Sequence, residues 1–339
     1  MKSITFTLFI LLAFGPEYDA ARYFNLVNQA EMLICQEDFE EAADLYAHAF
    51  QVIRKPFGKD VFNAALCCQY SKKFAERNKY LQMIINNSDD LEFVRSVFID
   101  KHYLNEAEWQ ILIGKRKVEY DLLLRKEFKE MLERDQLFRP MYESHDDTIK
   151  ANEIINFRRI SELTNSSGFP SQIELGFSEY FRNQDHDIVL HHLSQRRSRD
   201  KTVVDLEPIL FKAVQEGRFD PEGAIFYLNY QNDIEKGMFE VYATEQIKHP
   251  LLPDSLCDKI WLPDLSDEQI VMANNKRKEW NANTLEEIAA KTDFLSKSKL
   301  PFIFSSVRKT IGNLRDDFDK ETALEQYNMF TEYLKPYKN

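Results

Sequence analysis

Glycine and proline are scarce in this sequence, with 9 glycines and 11 prolines among 339 residues. Tight hairpins need these residues where φ is positive or fixed, so an all-β fold with many hairpins is excluded. Leucine, glutamate, lysine, alanine and glutamine fill the stretches between them, and these residues favour helices. The composition therefore predicts a mainly α protein, which at 44% apolar residues can bury a sizeable core.

Cysteine is also rare, with four residues at positions 35, 67, 68 and 257. None stands in a CxxC or a Cys/His ligand spacing, so the sequence predicts no metal site and no cofactor. The first three fall in helical apolar contexts, where packing is the expected role of a free thiol. A disulfide from Cys35 to Cys67 or Cys68 stays open as an alternative in an oxidising compartment.

Positive charge is in deficit, with a formal net charge of −12. Such a chain repels polyphosphate, so nucleic-acid binding is not expected. The best local exception is the run Arg196, Arg197, Arg199 and Lys201. We interpret this run as a solvated helix end rather than a phosphate site.

Long hydrophobic runs are absent except at the start, where Lys2 precedes an apolar stretch over 4–14. This pattern is typical of a secretory signal peptide, and the stretch is shorter than the roughly 20 residues that span a bilayer. Two approximate cleavage patterns follow, at 13–15 and 19–21. We expect a signal peptide over 1–21, export to the periplasm or the extracellular space, and no transmembrane helix after its removal. An uncleaved anchor or a buried N-terminal helix is the alternative.

A helical repeat is the clearest feature that is present. From Tyr23 to Pro56 the spacing is that of one helix-turn-helix unit. Its small and large positions are Leu26, Ala30 and Leu33 on the first helix and Phe39, Ala42, Tyr46 and Ala49 on the second. This unit resembles the tetratricopeptide (TPR) repeat. A degraded second copy keeps Ala64, Ala65, Phe74 and Leu81 but has Arg77 where the motif has alanine. We predict a TPR-like region over 22–116.

A second, non-repeat helical domain is predicted over 117–295. Leu124, Phe128, Met131, Phe138 and Tyr142 form an apolar stripe at helical spacing. Asp135 lies on the same line and can pair with Arg139 one turn later. Further helices are expected over 152–163, 188–199, 206–216 and 221–230. An irregular tract extends from 237 to 263, and a C-terminal helical extension is predicted over 296–339.

A series of short motifs follows the repeats. They are DQxxR at Asp135 to Arg139, NxxRI at Asn156 to Ile160, GFP at Gly168 to Pro170, a histidine at His192, and YATE at Tyr242 to Glu245. In this order they resemble an uncharacterised bacterial domain family that also occurs downstream of TPR-like repeats. The chain departs from it at Tyr230-Gln231, where the family has an Asp-Arg pair, and at Ala243, where it has a glycine. The resemblance implies no activity.

The GxxxxGK, GxGxxG, GxSxG and HExxH signatures are absent, so a site must be assembled from scattered polar residues. The catalytic candidates are His192, Asp135 and Thr244, and the ligand-binding candidates are Gln136, Arg139, Asn156, Arg159 and Tyr242. The alternatives are a structural Asp135–Arg139 ion pair and a hydrogen-bonded core histidine at 192. His191 is expected to face solvent, and the set Asp185, His186, Asp187 and His192 lacks a recognised metal-ligand spacing.

Two functions remain open at this point. The first is an exported cell-envelope protein that binds a protein or peptide partner through the concave surface of its repeats. The second is a hydrolase-like enzyme with His192 as general base, Asp135 orienting it, Arg139 or Arg159 holding an anionic group and Thr244 donating a hydrogen bond. The missing motifs favour the first.

Overall fold

Helices dominate the protein, of which a computed structural model describes residues 18–177, 184–200, 204–231, 245–248, 261–263, 265–305, 310–313, 319–331 and 334–336. The helices are α1 (Ala20–Cys35), α2 (Phe39–Ala49), α3 (Gly58–Tyr70), α4 (Phe74–Asn87), α5 (Glu92–Arg95), α6 (Glu106–Gly114), α7 (Leu122–Gln136), α8 (Tyr142–Ser167), α9 (Gln172–Leu175), α10 (Gln184–Arg199), α11 (Glu207–Gln215), α12 (Pro221–Gln231), α13 (Asp267–Glu279), α14 (Leu285–Lys297) and α15 (Lys320–Thr331). The prediction of a mainly α fold is confirmed.

The predicted first helix pair is present as α1 and α2, which pack side by side across a short turn. Ala30, Ala42 and Ala49 are fully buried, as expected where small side chains let two helices approach. α3 and α4 form a second pair with the same turn geometry, because Glu37 and Lys72 both have φ 61°. This recurrence supports an internal repeat, whose assignment to the TPR family stays a prediction.

Arg77 stands in the second helix pair at the position where the TPR resemblance predicts alanine. The residue is buried at 3% exposure, and its guanidinium donates to the side-chain oxygen of Gln69 at 2.6 Å and to the carbonyl of Tyr103 at 2.7 Å. A buried guanidinium needs such acceptors to offset its desolvation. Arg77 therefore ties the second pair to the segment that follows it.

The cysteines of the repeat region pack as small apolar residues. Cys35, Cys67 and Cys68 are free thiols, so the alternative of a disulfide among them does not hold in this structure. Burial raises the pKa of Cys35 and of Cys68 to about 12, which keeps both protonated at neutral pH. Cys257 lies outside the described residues.

The predicted helices of the second region are present as α8, α10, α11 and α12. The apolar stripe that begins in α7 is interrupted, however. Phe128, Met131 and Asp135 are buried as expected, but α7 ends at Gln136 and a 3-10 turn follows at Arg139–Met141. Pro140 accounts for the break, because proline has no N–H and clashes with the carbonyl four residues earlier.

A continuous hydrophobic core extends from the repeats into the rest of the chain. It joins Tyr23 and Phe62 of the repeat region to Phe128, Leu210 and Phe304. α14 packs directly on α1. The predicted boundaries after residues 116 and 295 stay predictions, and apolar packing crosses both of them.

A buried ionic network reinforces this core at Glu31 of α1. Its carboxylate accepts from the ammonium of Lys59 at 3.2 Å and from that of Lys291 at 2.6 Å. Burial opposes ionisation, but the two ammonium groups outweigh it and lower the pKa of Glu31. Lys291 also donates to Asn28 at 2.6 Å and to Asn283 at 2.5 Å, so all three of its N–H donors have acceptors. The network links α1, α3 and α14.

A second buried pair joins α12 to α13. Arg277 donates to both carboxylate oxygens of Glu222, at 2.7 and 2.6 Å. The main-chain N–H and the side-chain amide of Asn283 donate to the same carboxylate, at 2.9 and 2.7 Å. Both partners are at most 3% exposed. Glu222 therefore fixes where the chain turns from α13 into α14.

Sequence reasoning missed four short strands, β1 (Glu245–Lys248), β2 (Trp261–Pro263), β3 (Thr310–Asn313) and β4 (Leu334–Pro336). They form a sheet in the order β3-β1-β2-β4, in which β1 and β3 are parallel and the other pairings are antiparallel. The C-terminal extension, expected to be helical, contains α15 with β3 and β4. Strands of three or four residues are too short for an alternating pattern, and their partners are distant in sequence.

The described residues contain no helix that is both long and apolar enough to cross a membrane. This finding concerns only the part of the chain that the structure describes.

Glu222→Ala should destabilise the protein by about 3–5 kcal/mol, because it leaves the Arg277 guanidinium buried without its carboxylate. Urea unfolding followed by circular dichroism measures this loss. Glu130→Ala is the matched control, since Glu130 is exposed and its one ion pair among the described residues is with exposed Lys126 at 3.6 Å; its unfolding midpoint should barely move. Equal midpoints for the two variants would contradict the role given to Glu222.

Candidate functional site

Two helices bring together the polar residues of the second region. Asp135 lies in the last turn of α7, on the buried side that Phe128 and Met131 also occupy. His192 lies in the middle of α10, between buried Leu190 and Leu193. α10 packs against α7, α8 and α12. Helix packing thus places a carboxylate and an imidazole that are far apart in sequence against each other.

Asp135 accepts hydrogen bonds from three side chains. His192 Nδ1 is 2.5 Å from Oδ2. Arg139 donates from Nη2 to Oδ1 at 2.8 Å and from Nε to Oδ2 at 3.3 Å, and Gln136 donates to Oδ2 at 2.9 Å. The predicted Asp135–Arg139 pair is therefore present, and it also includes the histidine and Gln136.

The state of Asp135 follows from these contacts. Burial, at 2% exposure, opposes its ionisation. The hydrogen bonds and charges of His192 and Arg139 outweigh burial and hold the pKa of this carboxyl below its usual value of 3.8. At neutral pH Asp135 is an anion with fixed orientation.

An ionised carboxylate can only accept hydrogen bonds, so His192 must carry a proton on Nδ1. In the neutral imidazole this leaves a lone pair on Nε2. Within the described part of the chain, Nε2 has no hydrogen-bond partner. The side chain is 16% exposed, whereas that of Asp135 is 1% exposed. The pair therefore presents a basic nitrogen at its more exposed end.

A series of alternating cationic and anionic side chains extends from Asp135. The guanidinium of Arg139 also donates to Glu153 at 2.6 Å. Glu153 accepts in turn from Arg196, which pairs with Asp146 at 2.8 Å. Glu153 and Arg196 are 2% and 5% exposed. The interpretation of the arginine run as a solvated helix end is wrong for Arg196, because the buried Glu153 carboxylate on α8 draws it inward.

Two predicted site residues lie elsewhere. Asn156 is fully buried; its amide donates to the carbonyl of Met131 at 3.2 Å and accepts from Arg134 at 3.0 Å, so it holds α8 to α7. Arg159 is directed to Glu127 and Glu162, with N–O distances of 2.5 and 3.3 Å. Within the part of the chain that the structure describes, neither residue is hydrogen-bonded to Asp135 or His192. Tyr242 and Thr244 lie outside the described residues.

The neighbouring histidines have other surroundings. His186 is buried against the rings of Phe128 and Phe169, with centroids 5.3 and 5.4 Å away, and burial lowers its pKa to about 3. His191 stacks on Phe226 and contacts Gln195, so it is not the solvent-facing residue expected. Among the described residues, no group of three His, Cys, Asp or Glu side chains is placed to hold a metal ion.

Sequence reasoning missed Glu153, Arg196 and Asp146. A signal was present, because Arg196 follows His192 by four residues and Glu153 precedes Asn156 by three, which are same-face spacings on a helix. Sequence reasoning placed Arg196 in a solvated helix end and assigned no role to Glu153 or Asp146. Their mutual approach depends on how α8 packs against α10, which local spacing does not contain.

Comparison with protein families, with curated proteins and with solved structures finds no match to this chain. The resemblances to TPR repeats and to an uncharacterised bacterial domain therefore stay predictions.

Asp135→Asn should destabilise the protein by about 1.5–3 kcal/mol at pH 7, the range for hydrogen bonds to charged groups. Because the folded pKa of Asp135 is lowered, its contribution is complete above the unfolded value near 3.9 and is lost as the pH falls through the folded value. The difference between wild type and variant should thus stay constant from pH 7 to about pH 5 and shrink below about pH 4. Urea unfolding at several pH values measures it, and a difference independent of pH would contradict the account.

Proposed function

We propose that this protein is a hydrolase-like enzyme in which Asp135 and His192 act as a general-base pair. The observation that carries the proposal is the geometry of His192, whose Nδ1 is held by an ionised carboxylate while Nε2 is left with a lone pair and no partner among the described residues. A histidine with a purely structural role has its ring buried or hydrogen-bonded. His186 is buried against aromatic rings, and His191 contacts Gln195.

The chemistry follows from this arrangement. Nε2 accepts a proton from a water molecule while the water oxygen bonds to an electrophilic carbonyl or phosphoryl centre. The resulting imidazolium is stabilised by the negative charge of Asp135, and it returns the proton to the leaving group as the old bond breaks. Arg139 and Gln136 keep the Asp135 carboxylate oriented.

Arg139 has a different role from the anion binder first expected. Its guanidinium is shared by Asp135 and Glu153, and Arg159 is engaged by Glu127 and Glu162. Neither arginine presents an uncompensated charge to a substrate, so this site favours neutral substrates such as esters or amides. Thr244 remains a proposed hydrogen-bond donor, and Tyr242 a proposed ligand contact.

His192→Gln should reduce hydrolysis of p-nitrophenyl esters by at least about 100-fold, the usual contribution of a general base. His191→Gln is the matched control: the same substitution at the adjacent position should leave the rate within a few-fold of wild type. Circular dichroism and thermal unfolding verify that both variants fold. Hydrolysis that His192→Gln does not reduce, or none by wild type across esters, amides and phosphates, would refute the proposal.

A second proposal keeps the role of an exported cell-envelope protein that binds a protein or peptide through its repeats. A specific contact supports it: Asn63 of α3 pairs by two hydrogen bonds with the main chain of Ile303. The repeat region is thus able to hold an extended segment of polypeptide. The apolar start of the sequence supports export.

If the signal peptide is cleaved, the folded chain favours a cut after Gly15 over one after Ala21. Asp19 caps α1, because its carboxylate accepts from the N–H of Arg22 at 2.9 Å and its own N–H donates to Val52 at 2.9 Å. A cut after Ala21 would remove this cap and buried Ala20. Mass spectrometry of the secreted protein should show a chain that begins before Tyr18, and one beginning at Arg22 would contradict this expectation.

A further inference from the structure

An extended segment of the chain lies across the repeat region. It follows α14 and covers Lys299–Ser305, and Pro301 favours the extended conformation of Leu300 before it. Burial alternates along it: Phe302 and Phe304 are 5% and 3% exposed, while the residues between and beside them are half-buried. Alternation is the pattern of an extended chain that lays one face on a surface.

The two phenylalanines occupy aromatic sites. Phe302 stacks on Phe39 of α2, with centroids 5.7 Å apart and rings 17° from parallel, and it contacts Tyr70 of α3 at 5.9 Å. Phe304 packs on Phe294 of α14 at 6.2 Å, and the ammonium of Lys291 lies 5.9 Å from its ring centre. We call the surface formed by Phe39, Asn63, Tyr70, Lys291 and Phe294 the segment groove.

Between the two phenylalanines, Asn63 holds the main chain of Ile303, whose half-buried side chain packs against the core. Asn63, itself fully buried, donates to the carbonyl of Ile303 at 2.7 Å and accepts from its N–H at 3.0 Å. This pairing is that of a neighbouring strand and does not depend on the side chain at the middle position. Further out, Lys101 donates to the carbonyl of Lys299 at 3.3 Å, and Ser305 donates to Asp220 at 3.0 Å.

Resting on the interaction role proposed above, we propose that the segment groove is a receptor for extended peptides with aromatic residues at alternate positions, and that Lys299–Ser305 is its tethered ligand. A partner segment of the same chemistry binds where Phe302, Ile303 and Phe304 now lie, once the tethered segment is withdrawn. The groove thus sets specificity through two aromatic side chains and one main-chain unit.

Tethering sets the expected size of the effect. A ligand joined to its receptor by a short linker has an effective concentration in the millimolar range or above. A free peptide of the same sequence therefore has no measurable access to the wild-type groove below about 1 mM. Removing both aromatic side chains from the tethered segment weakens its binding to the segment groove and makes the groove accessible to a free peptide.

The test uses the full chain and a fluorescent heptapeptide with the sequence of Lys299–Ser305, KLPFIFS. In fluorescence anisotropy the double variant Phe302→Ala/Phe304→Ala should bind this peptide at least about 10-fold more tightly than wild type does, and it should not bind KLPAIAS. Adding Asn63→Ala should weaken binding at least about 10-fold. Phe74→Ala is the matched control, because Phe74 is 47% exposed on the repeat region outside the groove; it should bind as weakly as wild type.

A folded double variant that does not bind the peptide would overturn the proposal. If the double variant does not fold, Ile303→Pro replaces it, because proline removes the N–H that donates to Asn63 and keeps both phenylalanines. Loss of fold in both variants would make the segment an indispensable part of the core, which also contradicts the proposal. If wild type binds the peptide as tightly as the double variant, Lys299–Ser305 does not block the groove, but the interaction role stands. If neither protein binds the peptide, both the tethered ligand and the interaction role are rejected.

Discussion

Ion pairs between buried carboxylates and cationic side chains of other helices determine how the helices of this protein pack. Glu31 joins α1 to α3 and α14 through two lysines, and Glu222 joins α12 to α13 through Arg277. Because a buried charge without a partner costs several kcal/mol, each pair excludes packings that would separate its helices. Apolar contacts drive burial, and the ion pairs select among the ways in which amphipathic helices can be buried.

The same constraint builds the candidate site. Asp135 is buried and is matched by Arg139 and His192, and the remaining charge of Arg139 is matched by Glu153. The chain of alternating charges includes half-exposed Asp146 on one side and the imidazole of His192 on the other. The network thereby fixes the ring through Nδ1 and leaves Nε2 without a hydrogen-bond partner among the described residues. The ion pairs that hold the helices together therefore also orient the proposed base, His192.

Spacings within the sequence predicted most of the helices and one ion pair of the site. The contacts that they did not predict join residues that are far apart in the sequence. The first helix pair, the helices of the second region and the Asp135–Arg139 pair follow from spacings within one or two turns. Sequence reasoning assigned Arg196 to solvent because its partner Glu153 lies 43 residues away. It did not predict the strands because each has three or four residues and because β1 pairs with the distant β3. Asn156 and Arg159 lie on the same helix as Glu153, but they pair with residues of α7. Which neighbouring helix each of them contacts depends on how the helices pack.

The protonation state of the His192 ring decides whether Asp135 holds this histidine as a base. Long-range proton–nitrogen NMR on protein labelled at histidine nitrogen reports which ring nitrogen carries the proton, and Asp135→Asn assigns the signal. We expect an Nδ1-protonated ring with a far-downfield proton that Asp135→Asn moves upfield, and an Nε2 with the shift of an unprotonated nitrogen. A ring protonated on Nε2 alone, or one that Asp135→Asn leaves unchanged, would contradict this expectation.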